Sequence, residues 1–150
     1  MARSDLQCYI HPFGTLNPVK YVVVCTFFEG KILLSCHRER STWETQGGHI
    51  EPGETALDAA KRELYEESGV KKAEFFPVCD YLGVNPPRQA NGTVFLAVAE
   101  ELGTLPHSEM AETALFDRLP ENLTYPKMTP LLAAEAEKLL KNLSENKKAK

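Results

Sequence analysis

The stretch GGHIEPGETALDAAKRELYEESGV, residues 47–70, carries five glutamates, Glu51, Glu54, Glu63, Glu66 and Glu67. The last three lie within a turn and a half of a helical pattern. Thr55, three residues ahead of Asp58, makes a capping box, and Gly69 is a stop signal, which together predict a helix over residues 55–68. At about 100° per residue, Leu57, Ala60 and Leu64 share one apolar stripe. Glu63, Glu66 and Glu67 fall on the adjoining face beside the small Ala56 and Ala59. Like charges three and four residues apart each cost an isolated helix roughly a few tenths of a kcal/mol. Convergence to about 4 Å would cost about 4 kcal/mol per pair at an effective dielectric near 20. A cation reverses that sign. The plainer alternative is a solvated helix whose glutamates are offset by Lys61, Arg62, Lys71 and Lys72, with Asp58–Arg62 and Arg62–Glu66 as favourable pairs.

The spacing over the whole segment decides between the two. From Gly48 to Val70 it reads G-x5-E-x7-R-E-U-x-E-E-x-G-U, with U aliphatic. Seven fixed identities at ordinary residue frequencies agree by chance on the order of once in 10^8 starts. The string resembles the Nudix box, matched at Gly48, Glu54, Arg62, Glu63, Leu64, Glu66, Glu67, Gly69 and Val70. The resemblance implies an α/β Nudix fold, a mixed β-sheet sandwiched between α-helices. It also implies hydrolysis of a nucleoside diphosphate linked to a further group, with Mg2+, or sometimes Mn2+, as cofactor. Diphosphate oxygens repel an incoming water, so cations are needed to neutralise them, and hard oxygen ligands suit magnesium. By the same resemblance Glu63 and Glu67 are the principal metal ligands, Glu66 a further ligand or hydrogen-bond partner, and the Gly48 carbonyl a backbone ligand. Glu54 supports the loop and the outer metal shell, Arg62 orients the carboxylates, and Gly47, Gly48 and Gly53 let the loop bend over the helix start. The water-activating base comes from the box or from a later loop. In EMAETALFDRLP (residues 109–120) Glu112 is the first choice, Glu109 has surface charge as its rival, and Glu100 and Glu101 are read as solvated.

The rest of the chain agrees with that order of elements. VKYVVVCTFF (19–28) and KILLSCHR (31–38) read as a hairpin turning at Glu29-Gly30. Strand patterns recur at residues 73–84 and 92–102, separated by NPPRQANG (85–92), read as an irregular loop and a pocket wall. A short strand at 112–120 and a closing helix follow, the helix with Leu131, Leu132, Ala134, Leu139 and Leu140 on its apolar face. The 150 residues form one domain with a core over about 18–142, and the lysine-rich tail 143–150 is read as disordered. A net charge of −4 argues against a polynucleotide partner. The absence of a long apolar run predicts a cytoplasmic protein without a membrane partner, as a monomer or homodimer. Cys8, Cys25, Cys36 and Cys79 show neither zinc nor redox spacing.

Substrate markers are weaker than the box. Arg38, Arg88, Tyr125 and Lys127 are the expected substrate contacts, with Asn85 and Gln89 as further polar groups. Beside the small nucleotide that they would hold, His37 and Arg40 are read as phosphate contacts or an exposed basic loop, His49 as structural and Trp43 as a packing residue. Gln46 stands where many members carry proline. Short single-domain chains of this shape resemble the MutT type, so a nucleoside triphosphate, cut to monophosphate and pyrophosphate, is expected. Pro86, sixteen residues after Val70, resembles a marker of ADP-ribose pyrophosphatases and keeps ADP-ribose or a nucleotide sugar as the alternative. A non-catalytic sensor of nucleotides is the reading from another class, although such modules usually lose box glutamates.

Overall fold

The structure, a computed structural model, describes residues 3–149. Its central strand, β2 (Tyr21–Phe28), is buried at six consecutive positions, as an apolar run covered on both faces should be. Val22 and Val24 point to one side of the sheet, Val23 and Cys25 to the other. β2 pairs antiparallel with β3 (Lys31–His37) through a turn at Glu29-Gly30, where both residues have positive φ, 51° and 82°. Such a pair is what a two-residue hairpin turn with the right twist requires. On its other side β2 runs parallel to β7 (Arg88–Ala99), which is hairpinned to β6 (Ala73–Asn85). β8 (Met110–Phe116) and the short β4 (Trp43–Glu44) pair with β3, and β5 (Gln46–His49) pairs with β2, giving one eight-stranded mixed sheet.

Helix α1 (Ala56–Ser68) covers one face and α2 (Thr129–Ala149) the other, the expected sandwich. Thr55 caps α1: its Oγ1 accepts from Asp58 N at 3.1 Å while Asp58 accepts from Thr55 N, a motif that contributes about 1 kcal/mol. Gly69 ends the helix at φ 82°, and a Cβ there would meet the Thr104 carbonyl. The buried stripe of α1 is Ala59, Ala60 and Leu64, with Ala56 partly covered, whereas Leu57 is 37% exposed. Alanine draws the helix axis close to the sheet, and full burial of Leu64 adds about 2 kcal/mol. Glu63, one turn beyond Ala59, and Glu67, one turn beyond Glu63, are both half-buried and so continue the buried stripe instead of flanking it.

Four further expectations need correction. β1 (Gln7–His11) belongs to the fold, since it pairs with residues 80–84 of β6, and the buried Asp80 carboxylate accepts from Gly14 N and Leu16 N at 3.1 and 3.0 Å. The ordered chain thus begins well before residue 18. At the other end α2 runs on through 143–149, in place of the expected disordered tail, and Leu143 packs on the core. The inward face of α2 is Leu132, Ala133 and Ala136 with Leu139 and Leu140, while Leu131 and Ala134 turn outward. NPPRQANG is no irregular loop: Asn85 pairs with Arg88 and the ladder continues to Gly92 opposite Tyr81, leaving Pro86 and Pro87 at the turn, where no ladder N–H is needed. Among the described residues no helix is long and apolar enough to cross a membrane.

Candidate active site

The loop that leads into α1 is knitted to the helix by one side chain. Arg62 uses all five of its N–H donors. Nε and one Nη2 hydrogen grip Glu54 as a fork, at 2.7 and 2.9 Å. Nη1 reaches Glu63 and Glu66, at 2.8 and 3.1 Å, and the remaining Nη2 hydrogen reaches the His49 carbonyl at 3.0 Å. The fork holds the Glu54 carboxyl near 2, well below the usual carboxylate range, with the Glu51 backbone assisting. Gly48 makes room for this arrangement, because a Cβ on it would lie 2.5 Å from Glu63 Oε1.

Glu67 is treated differently. Its Oε1 accepts from Gly47 N at 2.7 Å, but burial dominates and pushes its carboxyl up to about 9, with Glu63, Glu44 and Glu109 adding repulsion. Burial also raises Glu63, against the pull of Arg62. Glu67, Gly47, Gly48 and Glu44 line a cleft of about 540 Å³, within the range of small-molecule sites. The same cleft is lined by basic Arg38 and Arg40 and by aromatic Tyr21, Tyr81 and Tyr125. The Tyr81 ring occupies the space beside Gly92, where a Cβ would stand 2.5 Å from it.

As they stand, no three acidic, histidine or cysteine side chains among the described residues enclose a point where an ion would sit, because Arg62 draws Glu63 and Glu66 to itself. The donor chemistry nonetheless fits a divalent cation. Every candidate donor is an oxygen, from Glu63, Glu66, Glu67 or the Gly48 carbonyl, and the buried carboxylates repel one another in a way that a cation would relieve.

The structure divides the expected site residues. Arg38 and Tyr125 line the cleft beside Glu67 and Gly48. Arg88, exposed at the turn of the β6–β7 hairpin, and Lys127, exposed before α2, do not line it. Pro86, in that same turn, is absent from its lining too. Glu112 does not line the cleft either. It pairs with Cys36 and so shares the α2 face of the sheet, whereas its neighbour Thr113 pairs with Ser35 on the α1 face. Glu109 reaches the cleft instead: its carbonyl accepts from Arg38 N at 2.8 Å and its carboxylate lies 3.5 Å from His37 Nε2. Trp43 packs edge-on to Phe116, as a packing residue should.

Sequence reading missed Glu44, Tyr21 and Tyr81. Glu44 is buried, accepts from Thr124 Oγ1 at 2.6 Å and faces Arg40 at 3.6 Å. Its position in the two-residue strand β4, too short to show periodicity, explains the omission. Tyr21 and Tyr81 sit inside apolar strand runs and look like core.

Comparison with known proteins identifies the class that this cleft and helix define. A family model described as NUDIX domain matches residues 17–132, and the chain belongs to the Nudix family. YtkD of Bacillus subtilis (strain 168), provisionally named an 8-oxo-dGTP diphosphatase, is 34% identical over 106 residues, 70% of this chain and 66% of its own length. An RNA pyrophosphohydrolase of Bradyrhizobium sp. (strain ORS 278) is 43% identical over 51 residues, 33% of this chain and 30% of its own. The chain therefore spans just under two thirds of one of these relatives and under a third of the other. Among solved structures, a point mutant of the Bacillus subtilis pyrophosphohydrolase BsRppH superposes with a TM-score of 0.70 at 28% identity, over 94% of this chain and 90% of that one. Nudix hydrolases use divalent metals.

Proposed function

We propose that the chain is a magnesium-dependent hydrolase of nucleotide diphosphate bonds, with Mn2+ as a substitute, and that its best substrate is a nucleoside triphosphate. The observation that carries the reading is the acidic row Glu63, Glu66 and Glu67 on α1, of which Glu67 lines the cleft together with Gly48, Arg38 and Arg40, while Arg62 fastens Glu63 and Glu66 to the loop through Glu54. Glu63, Glu67 and the Gly48 carbonyl would hold the cation, with Glu66 as a further ligand. When bound, the cation neutralises phosphate oxygens and acidifies a water.

The remaining work falls to the chain itself. Arg38 and Arg40 are placed to take the charge of the phosphates, and Arg62 keeps the carboxylates oriented. Tyr21, Tyr81 and Tyr125 offer faces and hydroxyls to a nucleobase. Glu109 accepts the proton of the attacking water, because it stands in the cleft with its backbone fixed by Arg38, and Glu112 does not. Attack on the α-phosphorus forms the new P–O bond and breaks the bond to the bridging oxygen, releasing nucleoside monophosphate and pyrophosphate. ADP-ribose loses its support with Pro86, which stands in the turn of the β6–β7 hairpin and does not line the cleft.

A turnover panel with Mg2+ tests the reading. It would contain normal and oxidised nucleoside triphosphates, ADP-ribose, nucleotide sugars, dinucleoside polyphosphates and RNA bearing a 5′-triphosphate. The expected result is highest kcat/KM on a free triphosphate and loss of activity on exhaustive chelation. Binding of nucleotides without turnover would make the chain a sensor. A hundredfold preference for ADP-ribose, worth about 2.7 kcal/mol of transition-state discrimination, would overturn the substrate order.

A further inference from the structure

Gln46 is fully buried, and its amide is saturated. Oε1 accepts from Thr26 Oγ1 at 2.8 Å, and Nε2 donates to the Leu33 carbonyl at 3.1 Å and to Ser35 Oγ at 3.0 Å. Ser35 Oγ in turn donates to the backbone carbonyl of Glu67 at 2.7 Å. That carbonyl belongs to the last turn of α1, where carbonyls lack a partner inside the helix. On its backbone side Gln46 forms the peptide bond whose N–H, that of Gly47, donates to Glu67 Oε1. Glu67 is thus held at both ends, main chain and carboxylate, by groups that converge on Gln46.

We infer that Gln46, acting through Ser35, is a positioning residue for Glu67. A side chain that only filled the core between β2, β3 and α1 would need no amide, and a proline here, as many members have, offers neither a donor nor an acceptor on its side chain. The polar alternative is selective: three strands and the end of the helix are fixed relative to one another by directional bonds, in a region otherwise packed by non-directional Val, Leu and Ala contacts. The relay reaches Glu67 and no other carboxylate of the row, since Glu63 and Glu66 are fixed by Arg62. The inference rests on the hydrolase reading of the same cleft.

The test is a double-variant cycle with Ser35→Ala and Gln46→Met, the latter keeping shape without polar atoms. The readouts are kcat, KM, thermal midpoint, and Mn2+ affinity by electron paramagnetic resonance. Each single variant is expected to lower kcat about tenfold with KM within about twofold, and to weaken Mn2+ binding. In the Ser35→Ala background Gln46→Met should add less than about twofold, because the connection is already cut. Additive losses, or a folded Ser35→Ala protein with unchanged kcat and Mn2+ affinity, would overturn the relay while wild type still turns over. If Gln46→Met does not fold, Ser35→Ala decides alone. Wild type that neither binds Mn2+ nor turns over would instead overturn the hydrolase reading.

Discussion

Replacing Glu67 by Gln should abolish turnover and, without metal, make the protein more stable than wild type as pH rises toward neutrality. Burial holds the Glu67 carboxyl at about 9 in the folded chain, against an ordinary 4.5. Between those values the folded state keeps a proton that the unfolded state has released, so stability falls as pH rises. The fall is at most about 1.4 kcal/mol per pH unit. Between pH 5 and 7 it amounts to as much as about 2.7 kcal/mol, or about 5–10 °C in thermal midpoint for a domain of this size. Glu54 works in the opposite direction but in another window: held near 2, it contributes stability that is lost only on acidification below the ordinary carboxylate range. Glutamine keeps the bond from Gly47 N and has no proton to lose. In EDTA, thermal midpoints measured by circular dichroism at pH 5, 6, 7 and 8 should fall steeply for wild type and nearly level off for Glu67→Gln. Saturating Mg2+ should flatten the wild-type curve. A wild-type midpoint that stays level or rises over this range without metal would refute the reasoning, as would equal slopes for the two proteins.

Arg62→Lys replaces a five-donor fork by a point charge and should lower kcat about 10- to 100-fold, with weaker Mg2+ activation, measured as kcat against metal concentration. Gly48→Ala places a methyl 2.5 Å from Glu63 Oε1, so kcat should fall by about two orders of magnitude; turnover assays paired with a thermal melt separate this from unfolding. Glu109→Gln should lower kcat at least about 100-fold, while Glu112→Gln, on the other face of the sheet, should stay within about twofold; equal losses would return the base to the box or to β8.

How far the sequence carries can be read from α1 and from β8. Much that is local to α1 is visible in the string itself: the Thr55 cap and the Gly69 stop are properties of one helix and stand in the structure as read, whereas Leu57, expected on the apolar stripe, is exposed. The hairpin turn at Glu29-Gly30 is legible for the same reason. The ends of the chain are not. Whether Gln7–His11 adds to an edge and whether residues 143–149 stay helical depends on partners far away in sequence, β6 and the core under Leu143. β8 makes the point most sharply. Glu109 and Glu112 are three residues apart, and in a regular strand they would face opposite sides, with nothing in their composition to say which side faces α1. The answer comes from the register against β3, where Ser35 is tied to Glu67 and thereby assigns Thr113 to the α1 face and Glu112 to the other. At the next step the ladder slips between Cys36 and His37, leaving Ala111 unpaired, and just beyond the strand end Glu109, whose carbonyl accepts from Arg38 N, lines the cleft. The choice between the two base candidates therefore turns on strand register and on where the ladder breaks, neither of which is local to the segment. Restoring a regular ladder by deleting Ala111, the residue left unpaired between Met110 and Glu112, should cost activity even though every acidic residue remains, and a deletion variant that melts like wild type and keeps its kcat would refute the assignment of Glu109.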